Sequence, residues 1–196
     1  MTATVSRPVT VKQRCLQGVK VSKAVLPFLR KNNVPWEIGR KVYQAVVVPT
    51  VMFGLNAISM TAQNRRSLRH FERKTVQEWY KACGGATKVS TRKLLKNRTI
   101  VKKIKISRIT YWGHITRRQG NHLLQAAYKF HLEGPKRKCR PCDTWNQTLD
   151  KDLVSMRKER ADFEGLLHNK NELKKETNKL YAIMDSSDSE ASSGLS

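Results

Sequence analysis

The sequence predicts an all-α fold: a basic helical bundle, then a helical C-terminal segment and a disordered acidic tail. Two observations predict it. Apolar residues recur at intervals of three and four over several long stretches, which is the spacing of one helix face. Prolines, serines and paired glycines that start or stop helices stand at the ends of those stretches. The chain has 196 residues, of which 39% are hydrophobic, enough for one ordinary domain or two small ones.

The first helix is expected over residues 11–30, after an irregular N-terminus of residues 1–10. Gly18 and Pro27 are expected to interrupt this helix. Its apolar residues recur at helical spacing and define its predicted apolar face: Leu16, Val19, Ala24, Val25, Phe28 and Leu29.

A second helix is expected to begin with Pro35 in its first turn. Pro49 is expected to end or kink it, because proline lacks the N–H that the helix interior needs. Its predicted apolar stripe consists of Ile38, Val42 and Val46. The apolar run over residues 46–55 is the segment most typical of a buried core.

Residues 64–82 give the clearest helical pattern. One face carries Leu68, Phe71, Thr75, Trp79 and Ala82, the remainder carries cations, and two glycines follow the last turn. Ser90 is expected to cap a short helix that reaches Lys96. A longer helix is expected over about 101–118, with apolar residues alternating with cations, and a further one over 123–130.

The composition changes after Trp145, and residues 147–184 are predicted to be helical. Three leucines seven residues apart could seed a short coiled coil: Leu166, Leu173 and Leu180. The alternative is a surface helix on the body, because the intervening Lys170 and Thr177 suit a coiled-coil seam poorly. The remaining tail is acidic and serine-rich, and its candidate phosphorylation sites are Ser186, Ser187 and Ser189.

Charge is the dominant feature of the composition. Lys and Arg number 39 against 15 Asp and Glu, giving a net charge of +24 and a pI near 10.4. Residues 1–160 hold 35 of the bases and eight of the acids, and the first acid is Glu37. Because such a body repels itself unless a polyanion neutralises it, we expect nucleic acid as the partner. A surface that only contacts solvent usually mixes its signs.

Other classes of protein are disfavoured by what the sequence lacks. Four cysteines are too few and too scattered for a secreted disulfide framework, and no apolar stretch has the length of a signal peptide or a membrane span. We therefore expect a soluble, intracellular protein without a membrane partner. There is no Gly-rich phosphate loop, no His-Glu-x-x-His and no cluster of carboxylates that could hold two metal ions. The isolated chain is expected not to be an enzyme.

The stretch "GPKRKCRPCDTW", residues 134–145, combines cations, prolines and a C-x-x-C pair. A zinc site is one interpretation, with the ligands His122, His131, Cys139 and Cys142, although this spacing is unlike a common finger. A redox pair is disfavoured because no strand and helix surround it. A basic turn that contacts phosphates is favoured, because the prolines hold the backbone extended and the arginines can bind phosphate oxygens in pairs. No cofactor is expected, and zinc at these four residues is the alternative.

Several segments, read in order, resemble the region downstream of the palm in non-LTR (LINE-type) retrotransposon reverse transcriptases. Residues 26–61 look like the thumb stretch of that family, with Lys41, the run Tyr43 through Pro49 and Phe53-Gly54 in place. Residues 61–83 are similar to its next basic helix, which carries L-x-x-F-x-R. Further matches are Arg108, Trp112, Gly113, His114 and Arg117, followed by Gly134, Arg137, Arg140, Pro141 and Trp145. The catalytic palm of the family is missing.

The resemblance implies a fragment or host-retained derivative that grips template and primer without catalysing synthesis. Together with the residue pattern, it predicts five segments: an irregular N-terminus (1–10), a thumb-like helical domain (11–85), a basic helical region with the Pro/Cys turn (86–155), an amphipathic helix (156–184) and the disordered tail (185–196). A complete polymerase would need a palm from another chain.

Fourteen cations are the candidate nucleic-acid-binding residues: Arg65, Arg66, Arg69, Arg73, Lys102, Lys103, Lys105, Arg108, Arg117, Arg118, Lys136, Arg137, Lys138 and Arg140. They are expected to bind DNA or RNA phosphates without reading bases. The alternative function is a non-catalytic scaffold that recruits a protein partner through residues 156–184. The protein is expected in the nucleus, whether its ligand is DNA or RNA.

Overall fold

The computed structural model describes residues 7–118, 123–129 and 144–182. Helices are the only regular secondary structure in these ranges, which confirms the all-α prediction. They are α1 (Arg7–Lys31), α2 (Trp36–Met52), α3 (Ala62–Ala82), α4 (Thr91–Leu94), α5 (Ile100–Thr116), α6 (Leu123–Lys129), α7 (Trp145–Ser155), α8 (Ala161–Glu164), α9 (Lys170–Lys179) and a 3-10 helix (Leu180–Ala182).

The chain forms two compact units, Met1–Ile104 and Lys105–Ser196. The boundary lies inside α5 and not at residue 85, where the sequence analysis placed it. The first unit extends further because α4 and the start of α5 supply its core with Leu94, Leu95, Ile100, Val101 and Ile104. The sequence gives no composition change at this point, since α5 carries the same mixture of apolar and cationic residues on both sides.

Helix α1 is continuous, so the predicted interruptions at Gly18 and Pro27 are wrong. It also begins at Arg7, within the stretch predicted to be irregular. Gly18 serves a close approach between helices: a Cβ added there would lie 2.4 Å from Val51 Cγ2 and 2.7 Å from Phe71 Cζ. Pro27 lies on the exposed side of the helix, where water can hydrate the carbonyl group that loses its donor.

The apolar faces predicted for α1 and α2 are partly wrong. Leu16 and Phe28 of α1 are exposed, as are Ile38 and Val46 of α2. The buried stripe of α2 is one position further along and consists of Gly39, Tyr43, Val47 and Val51. Tyr43 is held there by an edge-to-face contact with the Trp79 ring, with 5.4 Å between centroids. Pro49 does not end α2, which continues to Met52.

Helix α3 matches its prediction closely. Thr61 caps it, with its side-chain oxygen accepting a hydrogen bond from the Asn64 N–H at 3.1 Å. The predicted apolar face is buried at Leu68, Phe71, Thr75 and Trp79. The Trp79 indole N–H donates to Ser22 Oγ of α1 at 2.6 Å, which joins the two helices inside the core. Gly84 follows with a φ of 80°, a left-handed conformation that stops the helix.

The smaller helices are also positioned by local signals. Ser90 caps α4 by accepting the Lys93 N–H, as predicted. This helix ends at Leu94, before the predicted Lys96, because Lys96 and Asn97 both adopt positive φ angles. Helix α6 lies where the sequence predicted a helix over 123–130.

The single amphipathic helix predicted over 156–184 is wrong. The chain there turns at Arg157, which has a φ of 56°, and continues as α8, α9 and the 3-10 helix. Leu173 and Leu180 are buried in the core of the second unit with Leu149, Leu153 and Phe163. These leucines therefore do not form an exposed coiled-coil seam. The predicted tail, residues 185–196, lies outside the described residues.

Candidate nucleic-acid interface

Three of the predicted phosphate-binding cations are buried, which corrects their placement on an outer face. Lys102, Lys105 and Arg108 expose 2%, 1% and 1% of their surface. The Arg108 guanidinium pairs with the Asp152 carboxylate, and Lys105 Nζ donates to Ser155 Oγ at 2.7 Å. The cause is that α5 supplies apolar residues to the cores of both units, so its cations are enclosed as well. Cations buried in this way are not available to a phosphate, and Arg108 in particular needs its carboxylate partner because an unpaired buried charge is costly.

Three other predicted cations donate hydrogen bonds to groups of the protein itself. The Arg65 guanidinium donates to the Met60 carbonyl at 3.1 Å, and Arg117 donates to the Leu167 carbonyl at 2.6 Å. The half-buried Lys103 donates to the Gln44 side-chain oxygen, and burial lowers the pKa of its ammonium, as does the nearby Arg98. Arg69 is half-buried, and Arg66, Arg73 and Arg118 are exposed.

The motif that includes Trp112, Gly113 and His114, which resembles the retrotransposon family, contributes to the interior of the second unit. A Cβ on Gly113 would lie 2.4 Å from Leu173 Cδ2, so this glycine permits close packing. Trp112 is buried, and His114 stacks on the Tyr111 ring and contacts Arg118 at 3.4 Å. The basic turn with Lys136, Arg137, Lys138 and Arg140 lies outside the described residues, as do His122, His131, Cys139, Cys142 and the serines Ser186, Ser187 and Ser189.

An open groove between α1 and α3 brings exposed cations together in the first unit. This α1–α3 groove has a volume of about 780 Å³. Its rim carries two cations from each helix, Lys12 and Lys23 from α1, Arg66 and Lys74 from α3. All four side chains are exposed, and within the described ranges none is paired with a carboxylate. Its floor is largely apolar and includes Val11, Cys15, Val19 and Phe71.

The register of the two helices places these cations at opposite ends of the groove. Gly18 lies against Phe71, and Ser22 is bonded to Trp79, so α1 and α3 run side by side in the same direction. Lys12 and Arg66 therefore lie toward the N-terminal ends of the helices, and Lys23 and Lys74 lie toward the C-terminal ends. At 1.5 Å per residue, the two cations of α3 are about 12 Å apart along the helix axis and the two cations of α1 about 17 Å apart.

The groove also contains polar groups. Asn64 is only 3% exposed, and its amide nitrogen has no hydrogen-bond partner among the described residues. Thr75 Oγ1 is already used, since it donates to the Phe71 carbonyl at 2.9 Å. His70 and Glu78 of α3 also line the groove, and Glu78 carries a carboxylate.

The whole first unit has very few negative charges. Residues 1–104 contain 22 Lys and Arg but three acids, Glu37, Glu72 and Glu78. Glu72 is buried on α3 and accepts the Ile100 N–H at 2.8 Å. Burial raises the pKa of this carboxyl to about 8, against the opposite effects of the Ile100 hydrogen bond and of Lys103. The exposed Glu37 is paired with Arg40, which leaves Glu78 as the one carboxylate of this unit that lines the groove beside its four cations.

Within the described ranges, no group of three or more His, Cys, Asp or Glu side chains is arranged to hold a metal ion. The described helices include none that is long and apolar enough to cross a membrane. The chain matches no known protein family, no curated protein and no solved structure. Its function is therefore inferred from its own residues.

Of the four rim cations, only Arg66 was predicted from the sequence to bind nucleic acid. Lys12, Lys23 and Lys74 were missed because the groove is formed by two helices that are separated in the chain by the whole of α2. A correct face for α1 would have found it, since Val11, Cys15 and Val19 recur at intervals of four and Lys12 and Lys23 flank them.

Proposed function

We propose that the first unit binds nucleic acid through its phosphates, without reading base sequence. The observation that carries this proposal is the charge of residues 1–104, with 22 cations against three acids, one of them buried. Mutual repulsion of so many cations is relieved when a polyanion neutralises them. Nucleic acid is such a polyanion, with one negative charge per about 1.7 Å of helix axis in duplex DNA.

The rim of the α1–α3 groove supports the proposal because its cations are exposed and have no carboxylate partners in the described part of the chain. Binding a phosphate there breaks no ion pair of the protein. Lysine acts on phosphate as a point charge, and the Arg66 guanidinium can donate two parallel hydrogen bonds to one phosphate.

We further propose that the chain derives from a non-LTR retrotransposon reverse transcriptase and binds template or primer without synthesising DNA. This part rests on the order of the motifs along the sequence. In this proposal Tyr43 and Val47, within the thumb-like motif, support the fold of the first unit, where both are buried. A nuclear location belongs to the same proposal.

The experiment is a series of binding measurements on the purified chain with duplex DNA, duplex RNA and a DNA–RNA hybrid over a range of salt. If six to ten phosphates are contacted, affinity falls by about 10³–10⁵ between 50 and 200 mM salt. Scrambling the base sequence is expected to change affinity little. Binding that does not depend on salt, or that requires one sequence, would refute the proposal.

A further inference from the structure

We propose that the α1–α3 groove binds unpaired nucleotides, so that the chain prefers single-stranded nucleic acid to a duplex. The inference rests on the proposed nucleic-acid binding and assigns it a ligand: a short strand with phosphates at the rim and a base against the floor.

The size of the groove favours a ligand larger than a phosphate. Its volume of about 780 Å³ lies in the range of about 300–1,000 Å³ that is usual for sites of organic ligands. The groove lies between neighbouring helices, whose axes are typically about 8–10 Å apart. A duplex keeps its bases stacked and paired in its interior, so it cannot lay the face of a base against the floor. A single strand whose bases are unstacked fits such a space.

The distribution of chemistry matches a nucleotide strand. Lys12 and Arg66 at one end and Lys23 and Lys74 at the other can hold two phosphates that flank the floor. Between them lie the apolar side chains of the floor, which favour contact with the faces of bases over contact with water. A ligand with charge alone would leave this apolar surface uncovered.

Asn64 gives a second, independent observation. Its amide nitrogen is buried without a partner among the described residues, an arrangement that is uncommon in folded proteins. Bases carry carbonyl and ring-nitrogen acceptors along their edges, whereas the acyl chain of a lipid carries none. In the free protein the Asn64 amide nitrogen is covered by neighbouring side chains. A base edge can therefore reach it only after those side chains move aside. The unpartnered amide therefore favours a nucleotide over a fatty acid as the anionic occupant.

The test compares an oligothymidylate with a blunt duplex of the same length, bound to the full chain at one salt concentration. We expect the single strand to bind at least about tenfold more tightly. Ser67→Leu places a bulky aliphatic side chain, which offers no ring for a base to stack on, on the exposed, groove-lining side of α3 without changing charge. It is expected to remove this preference and leave duplex affinity within about twofold. The matched control is Gln17→Leu, an exposed position on α1 outside the groove, which is expected to leave both affinities unchanged.

A second variant, Asn64→Leu, removes the unpartnered amide and keeps the number and branching of the side-chain heavy atoms. It is expected to raise the thermal stability of the chain and to weaken single-strand binding by about fivefold or more. If the chain binds both nucleic acids and the duplex binds as tightly as the single strand, the inference is overturned and the proposed function stands. Equal effects of Ser67→Leu and Gln17→Leu also overturn it. Failure to bind either nucleic acid refutes the proposed function itself.

Discussion

Replacing Glu72 with glutamine is expected to remove a pH dependence from the stability of the first unit. The carboxyl is buried on α3 and accepts the N–H of Ile100, the first residue of α5. Burial raises its pKa from the ordinary value of 4.5 to about 8. Glutamine keeps an oxygen that can accept the Ile100 hydrogen bond but never carries a charge.

The magnitude follows from the two pKa values of Glu72. Between pH 4.5 and about 8, the folded chain holds a proton that the unfolded chain has lost. The free energy of unfolding therefore falls as the pH rises, by about 1.4 kcal/mol per pH unit, and the loss reaches at most about 5 kcal/mol. Above pH 8 the loss is constant, because both states are then ionised.

The assay is denaturant unfolding of the wild type and of Glu72→Gln over this pH range, together with hydrogen exchange of the Ile100 amide. The two proteins are expected to agree near pH 4.5 and to diverge as the pH rises, with the variant more stable. Glu37→Gln is the control with the opposite sign. Arg40 lowers the pKa of Glu37, so its contribution is present at neutral pH and is lost as the pH falls. A difference between wild type and Glu72→Gln that is the same at every pH would refute the reasoning.

Two further predictions concern packing. Gly18→Ala gains about 0.5–1 kcal/mol of helix propensity, but the new Cβ collides with Val51 and Phe71 at a cost of about 1–3 kcal/mol, so a net loss of about 0.5–2 kcal/mol is expected in thermal unfolding. An unchanged or higher Tm would show that α1 can move away without cost. Asp152→Ala leaves the Arg108 guanidinium buried without its carboxylate, and a loss of about 3–5 kcal/mol is expected in urea unfolding. A loss below about 1 kcal/mol would mean that Arg108 finds water or another acceptor.

The sequence was sufficient where one helix face was clearly apolar. Helix α3 has such a face, and its cap, buried side and end were predicted. The buried face of α2 was harder to predict. Val46, Val47 and Val48 are apolar in succession, so several alternative apolar faces fit the helical spacing. The contact between Tyr43 and Trp79 decides which stripe is buried, and it joins residues of different helices. Local periodicity contains no information about such a contact.

The candidate site was less accessible to prediction for a related reason. Charge alone identified α3 and α5 as basic, but whether a cation is exposed depends on what packs around its helix. Arg66 lies on the surface, whereas Lys105 and Arg108 are buried and contact polar partners on α7. The sequence showed how many cations there are, and the packing of the helices showed which of them form the α1–α3 groove.

The most direct test of the groove as a phosphate-binding surface is the salt dependence of nucleic-acid binding in two double variants of equal charge. Lys12→Gln/Lys74→Gln removes one rim cation from each helix, and Lys20→Gln/Lys81→Gln removes an exposed cation outside the groove from each of the same helices. The rim pair is expected to weaken binding and to reduce the slope of log K against log salt by about 1.4–1.8, with little change for the control pair. Equal slopes for the two variants would contradict the account.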